Sequence, residues 1–143
     1  MSQILIIRND HVSSIDYEIS KNQAYEENIK TLDMLLRSKG IPKDWENNIT
    51  NLSNYYEIGL VYEELKLSRK KIEKFCEANY SDLKKILGKT HDFYLQVLTI
   101  DDSIIYNCGK QINITNVRLS IANSRFAILD NEIVKLMVVS YVE

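Results

Sequence analysis

The chain has 143 residues, 45% hydrophobic and 27% charged, with 18 basic and 20 acidic side chains and a net charge of −2. That balance supplies the core of one folded domain, residues 1–143, and excludes the disordered class. It offers no positive field to phosphate backbones, so no nucleic-acid partner is expected.

The first segment, Met1 to Arg8, carries the apolar run Ile4 to Ile7. It is far shorter than the ~20 residues that cross a bilayer and is not a convincing signal peptide. It reads either as a short strand or as the clipped end of a longer hydrophobic segment, and the second is the expectation taken here. From Val12 to Ser38, apolar residues recur at Ile15, Ile19, Tyr25, Ile29, Leu32 and Leu36, while Lys21, Glu26, Glu27 and Lys30 point elsewhere. This spacing predicts an amphipathic helix of roughly 25 residues within 12–39, about 38 Å long at ~1.5 Å per residue. Gly40 is expected in the left-handed conformation at the helix end, and Pro42, lacking an N–H, bars continuation.

Trp45 to Asn54 is polar and reads as a surface loop, followed by a strand around Tyr56 to Tyr62. Gly59 inside that strand predicts a bulge or a close backbone approach. Ser68 caps one short helix bearing Ile72 and Phe75, and Ser81 caps another bearing Leu83, Ile86 and Leu87, which Gly88 ends. The last third is predicted as strands: Phe93 to Leu98, Ile104 to Tyr106, Ile112 to Ile114, Val117 to Leu119, Phe126 to Leu129 and Ile133 to Val139. Asp130-Asn131 suits a tight hairpin turn, since both tolerate positive φ. In the final strand Val134, Leu136, Val138 and Val142 share one face, and Ile133, Met137, Val139 and Tyr141 the other. Such near-continuous apolarity predicts a central strand covered on both faces, by the long helix on one side and by the short helices or a neighbouring molecule on the other. The fold class expected is α+β, a long N-terminal helix on an antiparallel sheet, with residues 41–143 forming the head.

No phosphate loop, zinc helix or nucleophile elbow occurs, so no cofactor and no catalysis are expected. His91-Asp92 and Asp101-Asp102 read as structural or solvated. Cys76, His91 and Cys108 are too scattered for a zinc site, because zinc ligands come in close pairs. Cys76 and Cys108 read either as two core thiols or, outside the cytoplasm, as a disulfide across 32 residues. The basic cluster Arg69, Lys70, Lys71, Lys74, Lys84, Lys85 and Lys89, balanced by Glu63, Glu64, Glu73 and Glu77, reads as a solvated face of the two short helices. Asn48, Asn51, Asn79 and Asn113 head four glycosylation sequons, against about 1.5 expected by chance.

Gly40-Ile41-Pro42-Lys43-Asp44-Trp45 closes the long helix as Gly-x-Pro-x-x-Trp. With Ile58-Gly59-Leu60, Leu67-Ser68-x-x-Lys71-Ile72-x-x-Phe75, Tyr80-x-x-Leu83-Lys84-x-Ile86-Leu87-Gly88, Asp92-Phe93-Tyr94 and the closing stretch Arg125 to Leu136, it resembles the soluble region of archaeal type IV pilin-like proteins over residues 12–142. The resemblance implies a non-catalytic cell-surface subunit for filament assembly or adhesion, in which Gly40, Pro42 and Trp45 fix how the helix enters the head. It implies self-association, or association with other pilin subunits, along the N-terminal helix. It also implies membrane contact only through an apolar helix upstream, of which Ile4 to Ile7 would be a remnant. The rival expectation is a membrane-tethered extracytoplasmic ligand-binding or sensor domain, with Tyr94, Tyr106 and His91 lining its pocket.

Overall fold

The computed structural model describes residues 3–8, 14–47, 57–112 and 116–143. Its elements run β1 (Gln3–Arg8), α1 (Ser14–Arg37), β2 (Gly40–Ile41), a 3-10 turn (Trp45–Asn47), β3 (Glu57–Ile58), β4 (Val61–Glu63), β5 (Lys66–Leu67), α2 (Arg69–Glu77), α3 (Tyr80–Ile86), β6 (Asp92–Thr99), β7 (Ile104–Gly109), β8 (Leu119–Leu129) and β9 (Glu132–Val142). The α+β class is as the sequence indicates.

Seven strands form one sheet, six of them in the order β4-β5-β8-β9-β6-β7, with β1 also paired to β8 along residues 119–124. All pairings are antiparallel except β5 with β8, so the sheet is mixed. β2 and β3 make a separate two-stranded sheet. The β8–β9 hairpin turns at Asp130 and Asn131, at φ +52° and +68°, where short polar side chains tolerate the left-handed region. Two segments read separately in the sequence, Val117 to Leu119 and Phe126 to Leu129, belong to the approach and body of the single strand β8. Ile112 lies outside any strand.

Gln3–Arg8 is a strand in continuous register with β8, from Gln3 opposite Ser124 to Arg8 opposite Leu119. This corrects the expectation of a helix remnant: four consecutive β-branched or γ-branched apolar residues satisfy their backbone in the sheet rather than extending α1. Among the described residues no helix is long and apolar enough to cross a membrane.

The buried side of α1 is Ala24, Asn28, Thr31, Leu32, Leu35 and Leu36. Ile19, at 62% exposure, and Tyr25 lie outside it, contrary to the apolar stripe read from the sequence. Asn28 donates to Ile121 and Asn123 of β8, so small and polar residues meet the sheet in the middle of the helix, while the Thr31 hydroxyl donates to the Glu27 carbonyl within α1. Leu32, Leu35 and Leu36 join Ile72, Phe75, Leu83, Phe93, Leu95, Val97, Leu136 and Val138 in one core, each large side chain contributing about 1.5–3 kcal/mol of burial. All three helices therefore cover the same face of the sheet, so of the two covers considered for the second face the short pair is excluded. On that second face Tyr141 and Val139 are buried, and the Tyr141 hydroxyl donates to the carbonyl of Lys110 at 2.7 Å. Ile133, Phe126 and Ile128 at its hairpin end are exposed.

α1 ends at Arg37, three residues before Gly40. Gly40 has φ +100°, yet its role is steric as well: a Cβ there would stand 2.3 Å from Cδ1 of Trp45. Trp45, expected in a surface loop, is fully buried, and its indole N–H donates to the Gly59 carbonyl at 2.9 Å. Gly59 separates β3 from β4 rather than lying within one strand; a Cβ there would fall 1.6 Å from the Ser38 carbonyl oxygen. The Ile41–Pro42 peptide bond is cis. Lys71, 4% exposed, closes the same loop by donating to the carbonyls of Lys39 and Lys43, with Glu46 Oε2 at 3.3 Å.

Candidate functional site

The most unusual chemistry lies between α1 and the sheet, where four polar side chains are buried together: Asn28 and Ser140 with no exposure, Asn123 with none, and Lys89 at 6%. Gly88 delivers the lysine. At φ +67° it follows the last turn of α3, with the Gly88 N–H donating to the Lys85 carbonyl and the Lys89 N–H to the Lys84 carbonyl. These two bonds are the Schellman pattern, which reverses the chain and sends the next residue back across the fold. Lys89 then reaches inward over Phe93, with its Nζ 5.5 Å from the ring centroid.

Lys89 Nζ donates to Asn28 Oδ1 at 2.8 Å and to Ser140 Oγ at 2.7 Å, while the Ser140 hydroxyl donates to the same Asn28 Oδ1 at 2.5 Å. Asn28 Nδ2 donates to the Ile121 carbonyl at 3.0 Å and to Asn123 Oδ1 at 3.1 Å. The carboxamide is thus fixed in orientation, its oxygen toward the amine and its nitrogen toward β8. Asn123 Nδ2 has no hydrogen-bond partner among the described residues. Burial pushes the Lys89 amine down to about 8, against the opposing pull of Glu27.

Glu27, one position before Asn28 on α1, accepts from the Thr90 N–H at 2.9 Å and from the Thr90 hydroxyl, with His91 Nδ1 at 3.6 Å. Burial raises its carboxyl, but the two Thr90 bonds, His91 and Lys89 together hold it below its ordinary value. A second polar group lies at the start of β6, where Asp92 accepts from the Tyr80 hydroxyl at 2.8 Å and from Lys110 at 3.2 Å, with Lys84 at 3.4 Å.

The basic cluster read as a solvated face is divided by the structure. Lys71 and Lys89 are buried, whereas Arg69 pairs with Asp130, Lys74 with Glu77 and Lys84 with Asp92 at or near the surface. Gly88 immediately before Lys89 is the sequence signal that separates them, since a helix-ending Gly turns its successor inward. Tyr94, Tyr106 and His91 do not line a common pocket. Tyr106 lies opposite Val97 on the helix-covered face, where Arg69 donates to its hydroxyl at 3.0 Å. Tyr94 faces the other way, 6.4 Å from Tyr141 between ring centroids, and His91 sits against Glu27.

Cys76 of α2 and Cys108 of β7 are disulfide-bonded, with a Cα separation of 5.1 Å. Asn79, rather than Ser81 as the sequence suggests, caps α3: it is exposed and its Oδ1 accepts from the Asp82 N–H at 3.2 Å, so the Nδ2 that a glycan would modify is not the capping atom. Asn48, Asn51 and Asn113 lie outside the described residues. Among the described residues no group of three or more His, Cys, Asp or Glu is placed to hold a metal ion. Comparisons with family models, curated proteins and solved structures give no match for this chain.

Proposed function

We propose that this chain is a non-catalytic, cell-surface pilin-like subunit acting in filament assembly or adhesion. The observation that carries the reading is the way α1 lies across the β8–β9 hairpin and is locked at its C-terminal end by Gly40, Trp45 and Gly59. The Cys76–Cys108 bond supports it from a second direction, because disulfides persist chiefly in oxidising compartments outside the cytoplasm.

Self-association would use the outward side of α1, where Ile19 and Tyr25 are exposed beside the buried seam. An upstream membrane helix, on this reading, joins the head through the β1 strand rather than as a straight extension of α1. The test is to treat intact source cells with a membrane-impermeant amine reagent. Exposed lysines such as Lys30 and Lys85 should be labelled without lysis. Labelling that appears only after lysis would overturn the proposal.

A further inference from the structure

We propose that Lys89 and Asn28 join in an intramolecular isopeptide bond, Nζ attacking Cγ and Nδ2 leaving as ammonia. The amine already donates to Oδ1, the atom bonded to the carbon it would attack, so the reaction needs only deprotonation of the ammonium and a shift from oxygen to carbon. Holding two reacting groups in this way makes the encounter unimolecular, the largest single saving available to such a step.

Ser140 supplies the activation. Its hydroxyl donates to Oδ1, polarising the carbonyl, and accepts from Nζ, so one proton can pass from the amine through Ser140 to the oxygen as the C–N bond forms. The neutral tetrahedral adduct carries the old Nδ2 and the new Nζ on Cγ. The proton on oxygen then passes to Nδ2, the Cγ–Nδ2 bond breaks, the carbonyl re-forms and ammonia departs. Lysine amine and asparagine carboxamide become a secondary amide and ammonia, with no oxidant, reductant or further reactant.

The surroundings favour this chemistry over hydrolysis. Asn28 and Ser140 have no solvent exposure, and the hydrogen bonds from Nδ2 to Ile121 and Asn123 keep the carboxamide from turning its nitrogen toward the amine. The charged groups facing Lys89 are Glu27 from α1, which favours the ammonium, and His91 at the start of β6, paired to Glu27; β8 and β9 contribute only the uncharged Asn123 and Ser140. With the amine brought down to about 8, a useful fraction is neutral near pH 7. The link would tie α1 to the α3–β6 connection across 61 residues, and the Cys76–Cys108 bond already ties α2 to β7.

The experiment is intact-mass spectrometry of the purified, folded chain followed by peptide mapping. The expected result is a mass lower than the disulfide-bonded sequence by one ammonia, with the peptide bearing Asn28 joined to that bearing Lys89 and no tryptic cleavage after Lys89. Chain refolded from the unlinked state should link faster as pH rises from 6 to 8, levelling off above that. Lys89→Arg and Asn28→Leu should abolish linkage, and Ser140→Ala should slow it at least tenfold, with circular dichroism confirming that each folds. A full mass in the folded wild-type chain after prolonged incubation at pH 9, or ammonia loss with Lys89 still free, overturns the proposal. An unchanged rate in folded Ser140→Ala overturns the role given to the hydroxyl.

Discussion

The indole N–H of Trp45 donates to the carbonyl of Gly59 at 2.9 Å, and the ring so placed leaves no room for a side chain at Gly40. Helix end, loop and strand are thereby fixed as one unit. Gly59→Ala is expected to be the most damaging glycine substitution, because its Cβ would meet the Ser38 carbonyl at 1.6 Å and only backbone movement could relieve it. A loss of at least about 3 kcal/mol, or failure to fold, is expected on thermal or urea unfolding. Gly88→Ala should cost only about 1 kcal/mol, since nothing lies within 4 Å and the penalty is that of positive φ alone.

Trp45→Phe keeps most of the apolar volume but removes the indole N–H. It should lower stability by about 2–3 kcal/mol, from a small cavity and an unpaired buried carbonyl at Gly59. Equilibrium urea unfolding checks this, and an unchanged midpoint would show that the hydrogen bond contributes nothing net.

Lys71 is the buried cation of the same loop. Lys71→Met should cost roughly 3–5 kcal/mol, because it strands the Lys39 and Lys43 carbonyls and leaves Glu46, 11% exposed, as an unpaired buried carboxylate. The double substitution Lys71→Met with Glu46→Gln should recover part of that loss, which a double-mutant cycle measures directly.

Reduction of the Cys76–Cys108 bond, or its replacement by two serines, removes a constraint on a loop closed across 32 residues. The chain-entropy relation gives a loss of roughly 3–4 kcal/mol. Differential scanning calorimetry of oxidised and reduced protein should show the corresponding fall in Tm.

Part of the acid sensitivity should come from Asp92. Burial raises its carboxyl, but the Tyr80 hydroxyl, Lys110 and Lys84 outweigh that and hold it below its ordinary value of 3.8. A carboxyl depressed in the folded state binds fewer protons there than in the unfolded chain, so its stabilisation is complete above the unfolded value and is lost as pH falls through the folded one. Asp92→Asn should therefore flatten the fall in stability below about pH 4. A curve of unfolding free energy against pH that keeps its full acid slope in this variant would contradict the assignment.

The sequence made the turns and strand patterns legible because their signals are local. Asp130-Asn131 tolerates positive φ, Gly88 ends α3, Ser68 caps α2, apolar residues at alternate positions mark β6, and a near-continuous apolar run marks β9. Gly59 was also legible as a close approach, although its neighbour, the Ser38 carbonyl, was not. The polar cluster was not legible because Asn28 is separated from its other members by 61 residues or more in sequence, and their meeting depends on a helix rotation that apolar periodicity misassigns. Asn28 lies on the buried side of α1 while Ile19 lies outside, and only the contacts with β8, β9 and Lys89 decide that. The pairing of β1 with β8 is likewise non-local, bringing residues more than a hundred positions apart into register.

The most direct test of the account is to shear filaments from intact source cells, separate them from membranes and cytoplasm, and probe each fraction with an antibody against the folded chain. The protein is expected in the sheared filament fraction, with Cys76 and Cys108 resistant to alkylation without prior reduction. Recovery in the cytoplasmic fraction, with both thiols alkylated, would contradict it.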